Sequence, residues 1–151
     1  YWQQVNHGLV PEGMVKTSRA LSVTSVQVDP FTTETVYAAT LAGLYKTTDG
    51  AASWVRIGES LQDQMIVSMV LDRARSGVMY VAARDGIHRS EDGGTSWVAL
   101  NEGLATTNIR SLAQSALDPQ LFYAGTNGSG LYRSTDGGAH WEALPSVFPK
   151  E

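Results

Sequence analysis

The sequence predicts an all-β chain built as blades of a β-propeller, about three complete blades of four antiparallel strands plus one extra N-terminal strand. Three observations carry that expectation. An eight-residue pattern occurs as Thr47-Thr48-Asp49-Gly50-Ala51-Ala52-Ser53-Trp54, as Ser90-Glu91-Asp92-Gly93-Gly94-Thr95-Ser96-Trp97 and as Ser134-Thr135-Asp136-Gly137-Gly138-Ala139-His140-Trp141, with its tryptophans 43 and 44 residues apart. Tyr37, Tyr80 and Tyr123 repeat every 43 residues. Between these markers, β-branched and aromatic residues gather in short runs bounded by Gly, Pro, Asn or Asp, and no stretch keeps the apolar spacing of a long amphipathic helix. A fixed period of this size, holding four strands, is one propeller blade; leucine-rich and helical repeats need shorter periods or helical patterning.

Taken in order, residues 1–19 are expected to hold an orphan outer strand and a long loop. Trp2-Gln3-Gln4-Val5-Asn6-His7-Gly8-Leu9 matches Trp97-Val98-Ala99-Leu100-Asn101-Glu102-Gly103-Leu104, which places residues 1–6 as a fourth strand with no first three. Blade 1 follows over 20–57, blade 2 over 58–100 and blade 3 over 101–145, with 146–151 as a tail. Blade 3 shows the strand runs most plainly: Asn108–Ala113, a break at Asp118-Pro119, then Leu121–Gly125, Gly130–Ser134 and His140–Leu144. Three blades and a strand leave both flanks of a ring open, since propellers close with about four to eight blades. Unpaired flanks invite association, so the expected partners are a protein, further propeller blades or another copy of the chain.

The eight-residue pattern has its own chemistry. Asp49, Asp92 and Asp136 stand where the third strand turns back into the fourth, where a carboxylate can accept backbone N–H bonds and a preceding hydroxyl (Thr47, Ser90, Ser134) can add a local one. Gly94 and Gly138 permit positive φ, and Trp54, Trp97 and Trp141 can lay their rings over the hairpin. The pattern resembles the Asp-box, or bacterial neuraminidase repeat, Ser/Thr-x-Asp-x-Gly-x-Thr/Ser-Trp, in three phased copies covering nearly the whole chain. Ala51 replaces the usual glycine in the first copy, so a less regular turn is expected there. Similar blades occur in sialidases, xyloglucan-active glycosidases, sortilin-type receptors and photosynthetic assembly factors. The resemblance implies that the box aspartates stabilise turns and are not catalytic, and that the protein is secreted or periplasmic.

Composition narrows the function classes. Apolar residues make up 42% and charged residues 17%, enough core-forming material for a globular protein. A net charge of −4 with basic residues scattered singly argues against a nucleic-acid partner. No apolar run approaches the roughly 18 residues of a membrane-spanning helix. With zero cysteines, disulfides and thiol chemistry are excluded.

Binding residues are expected on the face that carries the loops between second and third strands and the blade-to-blade connections, because loops on a rigid scaffold concentrate function. The candidates are Glu12, Lys16 and Arg19 in the long first loop, Arg84, Asp85, Glu102 and Asn127. Asn127-Gly128-Ser129 formally matches a glycosylation acceptor, but Asn-Gly is first a turn signal. No catalytic residue, cofactor or metal is assigned. Glycoside hydrolysis needs two facing carboxyls, and Glu12, Glu59, Asp63, Asp85 and Glu102 sit in no motif. Arg89 and Arg133 recur with Lys46 at one blade position, which favours structure over carboxylate clamping. His88 stands where the sister blades have Tyr45 and Tyr132. Two function classes follow: a non-enzymatic interaction or scaffold module, or a fragment of a secreted glycoside hydrolase with catalytic residues partly outside this chain, for which a carbohydrate ligand stays open.

Overall fold

The structure, a computed structural model, describes residues 1–9 and 22–145. The strand runs fold into three four-stranded antiparallel sheets, each a simple meander. The first sheet holds β1 (Val23–Val28), β2 (Val36–Thr40), β3 (Gly43–Thr47) and β4 (Val55–Ile57). The second holds β5 (Ser68–Leu71), β6 (Met79–Ala83), β7 (Gly86–Ser90) and β8 (Val98–Ala99). The third holds β9 (Ile109–Gln114), β10 (Phe122–Thr126), β11 (Leu131–Ser134) and β12 (Glu142–Ala143). A single 3-10 turn, Glu59–Leu61, is the only helical element among the described residues. The chain is thus all-β, three blades of a partial propeller.

Strand alternation explains how the blades pack. In β6, Met79, Val81 and Ala83 point to the first sheet, while Tyr80 and Ala82 point to the third, so both of its faces are buried. Tyr37, Ala39 and Leu44 meet Met69, Leu71, Met79 and Val81 in the first inter-sheet core. Tyr80 and Ile87 meet Leu112, Phe122 and Ala124 in the second, where the Tyr80 and Phe122 rings are tilted by 48° with centroids 4.4 Å apart. One polar bond spans each interface: Thr24 Oγ1 donates to the Ile66 carbonyl at 2.6 Å across the first, and the Leu112 N–H donates to Ser68 Oγ at 3.1 Å across the second.

The expected outer strand over residues 1–6 is not formed. A strand exists only by pairing, and among the described residues no strand lies beside these, which are exposed. Residues 6–9, by contrast, are ordered against the first sheet: the Leu9 N–H closes a turn onto the Asn6 carbonyl, and Leu9 is buried with Ala38, Tyr45 and Trp54.

Candidate functional site

The three aspartate hairpins share one hydrogen-bond pattern. In the middle copy, Ser90 Oγ donates to Asp92 Oδ1 at 2.8 Å and accepts the Gly94 N–H at 2.9 Å. Asp92 also accepts the Thr95 and Ser96 N–H groups and the Ser96 hydroxyl, the last at 2.6 Å. Asp49 repeats this with Thr47 and Ser53, and Asp136 with Ser134 and His140. Bonds to the charged form lower each carboxyl pKa to about 2, led by the Ser53 hydroxyl at Asp49, the Ser96 hydroxyl at Asp92 and the His140 N–H at Asp136. The His140 ring takes the place of a serine hydroxyl, with Nδ1 at 2.7 Å from Asp136 Oδ2, and that bond together with the Glu102 charge raises its pKa.

The first hairpin is as regular in its bonding as the others, contrary to expectation. The Ala51 N–H donates to Thr47 Oγ1 at 3.1 Å, matching Gly94 and Gly138, and Ala51 accepts φ of 73° to do so. The hairpin bonds outweigh a left-handed penalty of about 1–2 kcal/mol.

Two of the blade-to-blade connections also reach the next tryptophan, a role the sequence pattern did not disclose. The Trp141 N–H donates to the Glu102 carbonyl and its indole N–H to the Leu100 carbonyl, both at 2.9 Å. Trp54 makes the same pair of bonds to His7 and Val5. Residues 5–9 therefore do for the first blade what 100–104 do for the third. The middle connection lacks the Asn-x-Gly-Leu sequence, reading Gly58-Glu59-Ser60-Leu61, and Trp97 instead turns its indole N–H to its own Gly94 carbonyl.

On the loop face, Arg84 lies in the β6–β7 turn and lines a cleft of about 440 Å³ with Arg110, Val67, Ala83, Thr107 and Asn108. Asp85 is turned to His88, Oδ1 to Nε2 at 2.7 Å, and His88 is buried at the interface position its sister tyrosines occupy. Glu102 does not join Arg84 and Asp85; its carboxylate lies 3.4 Å from His140 Nε2 beside the aspartate hairpin. Asn127 begins a turn closed by the Thr126 hydroxyl, which donates to the Gly130 carbonyl and accepts the Ser129 N–H. Glu12, Lys16 and Arg19 lie outside the described residues.

At the opposite end of the inner strands, Asp72 is the buried polar centre between the second and third sheets. Burial pushes its pKa up, but two Arg75 guanidinium bonds, the Ala74 N–H and the Gln114 amide outweigh it and hold the pKa below the ordinary carboxylate value. It lies in no motif of the sequence. The only signal is positional: Asp29 and Ser115 end the inner strands of the other blades and accept turn N–H groups in the same way.

No family model and no curated protein sequence matches this chain. Solved structures do resemble it. An ancestral GH74 enzyme is 24% identical with a TM-score of 0.70 over 83% of this chain and 19% of its own. The GH74 xyloglucanase from Xanthomonas campestris is 17% identical with a TM-score of 0.67 over 86% of this chain and 24% of its own. YCF48 bound to a D1 peptide is 22% identical with a TM-score of 0.63 over 82% of this chain and 39% of its own. At these identities the likeness shows the propeller fold. The chain spans 19% to 39% of the length of these structures.

Proposed function

We propose that this chain is a non-enzymatic interaction module, an Asp-box propeller segment whose open sheet faces and loops hold a protein partner, further blades or another copy. One observation carries the reading. Repeat positions that are buried between sheets are exposed on the two outer ones. Tyr123 and Leu131 on the third sheet are 39% and 51% exposed, whereas Tyr80 and Ile87 at the same positions of the second are both 0%. Val26 and Val28 on the first sheet are each 56% exposed, whereas Met69 and Leu71 are 3% and 8%. Both open faces therefore carry the side chains of a blade interface, and burying them yields roughly 25 cal/mol per Å². That YCF48 has been solved with a peptide bound supports a protein ligand on such a scaffold. The implied exported location rests on the Asp-box resemblance.

Light scattering of the chain, alone and with Leu131→Asp or Val28→Lys, tests the proposal. Association that either substitution reduces is expected. A monomer with a cooperative melt, unchanged by both, overturns it. The likeness to GH74 structures favours a second reading, a glycosidase fragment. Turnover of xyloglucan that disappears in Asp85→Asn would establish that one.

A further inference from the structure

Among the described residues three arginines make no side-chain ion pair, and of these Arg73 stands alone at the far end of the sheets while the other two come together. Arg56, Arg75, Arg89 and Arg133 each face a carboxylate, on Asp63, Asp72, Glu91 and Glu142 respectively. Arg84 and Arg110 make no side-chain ion pair or hydrogen bond among the described residues, and both line the same cleft of about 440 Å³ between the second and third sheets. Their convergence is built by two separate devices. Arg84 occupies the tight β6–β7 turn, in which Ala83 pairs with Gly86. Arg110 is the extra residue of a β-bulge: Ser111 pairs with Gly125 and Ile109 with Thr126, so Arg110 has no partner on β10. A bulge of this kind re-aims one side chain. Ile109 stays in the core while Arg110 is delivered to the cleft.

We propose that this cleft binds the carboxylate of a peptide, with Arg84 and Arg110 as paired guanidinium donors. The inference rests on the protein-binding reading above and names the chemistry recognised on the loop face. Guanidinium forks match a carboxylate bidentately, and two of them raised from different sheets can bracket one anion. Val67, Ala83 and Ile109 give the cleft an apolar side that suits an aliphatic side chain next to that carboxylate. Its volume lies within the roughly 300–1,000 Å³ of small-ligand sites. A sugar acid fits less well. Among the described residues no aromatic ring and no carboxylate lines the cleft, so sugar hydroxyls would meet neither a stacking face nor a charged acceptor. A nucleic-acid phosphate is opposed by the net charge of −4.

The test is an amide-shift titration of the full chain by NMR at millimolar probe, with acetyl-Ala-Leu-Ala carrying a free C-terminus, its C-terminal amide, acetyl-Ala-Glu-Ala amide, and glucuronate. Shifts at Arg84, Asn108 and Arg110 are expected with either carboxylate peptide, at least fivefold weaker with the neutral amide. The tighter of the two charged peptides assigns the carboxylate to a chain terminus or to a side chain. Arg84→Gln and Arg110→Gln should each weaken binding about tenfold. Arg73→Gln, which removes an arginine at the opposite end of the sheets, should leave it unchanged. Equal binding of the neutral amide, tighter binding of glucuronate than of either peptide, or no loss in the Arg84 and Arg110 variants overturns the proposal. If those peptides fail while Leu131→Asp still alters assembly, the cleft assignment falls and the interaction module stands.

Discussion

Replacing Gly103 by Ala should cost far more than its position on an exposed loop suggests. Gly103 has φ of 88°, and a Cβ there would overlap the Trp141 carbonyl oxygen and stand 3.0 Å from its carbon. Two penalties combine. The left-handed backbone costs an L-residue about 1–2 kcal/mol. The overlap, with backbone and not with a side chain that can swing away, forces residues 100–104 off the tryptophan. That puts at risk the Trp141 N–H bond to Glu102, the indole bond to Leu100 and the Leu104 N–H bond to Asn101. Each is worth about 0.5–1.5 kcal/mol net. A total of about 1.5–5 kcal/mol follows if one or two of the three are lost, and a chain of this length should then melt roughly 3–20 °C lower.

Gly128→Ala supplies the control, because Gly128 has a similar φ of 96° with nothing within 4 Å of its added Cβ. It should show the backbone penalty alone. The assay is thermal unfolding followed by tryptophan fluorescence, which also reports whether Trp141 becomes wetter. Equal melting temperatures for the two variants, or an unshifted emission maximum in Gly103→Ala, would refute the idea that the connection clamps the next blade's tryptophan.

Other outcomes come from the hairpins and the open faces. The carboxyls of Asp49, Asp92 and Asp136 have folded pKa values of about 2 against 3.8 unfolded, so their stabilisation is complete above pH 4 and lost as pH falls towards 2. Acid unfolding of Asp92→Asn should therefore be less steep in that window than that of the parent, as read by circular dichroism. His140 has a raised folded pKa, so its contribution is complete below its unfolded value of 6.5 and fades as pH rises through the folded one. An imidazole titration by NMR should place it above 6.5, and His140→Ser should remove that pH dependence while keeping a hydroxyl on Asp136, as Ser53 and Ser96 do for their aspartates. Leu131→Asp should reduce association in light scattering without lowering the melting temperature measured at a dilution where the chain is monomeric, since Leu131 is half exposed on an open face.

Much of the architecture was legible because it repeats. Asp92 with Ser90 and Trp97 announces a hairpin from local chemistry alone, and two further copies at fixed spacing set the blade. The N-terminal segment shows where such reading stops. Trp2–Leu9 reads as a fourth strand by matching Trp97–Leu104, yet strand formation depends on a partner that the segment itself does not encode. Its contacts, from Val5 to Leu9, cover Trp54, and so lie with the following blade and not with its own. Asp72 was illegible for a related reason. Its meaning lies in Gln114, 42 residues away across a sheet interface, and no local pattern marks that pairing. Arg110 depends on a bulge, and a one-residue irregularity leaves no trace in a short polar strand.

The same contrast separates scaffold from site. Lys46, Arg89 and Arg133 recur at one blade position, opposite Tyr37, Tyr80 and Tyr123. Each has a local partner: Lys46 Nζ lies 5.4 Å from the Tyr37 ring centroid, Arg89 faces Glu91, and Arg133 faces Glu142. A repeated charge with a repeated neighbour is consistent with the blade's own packing. Arg84 breaks the repeat, standing where blade 1 has Leu41, and Arg110 is the bulge residue where blade 1 has Thr24, whose hydroxyl is engaged by the Ile66 and Ala39 carbonyls. The scaffold is therefore satisfied at these positions by apolar or locally bonded side chains. Among the described residues the two guanidiniums placed there have no carboxylate partner. On the carboxylate-cleft proposal their charge is used when an anion arrives, and the pair that shares one cleft, rather than the periodic cations, is where a ligand is to be sought.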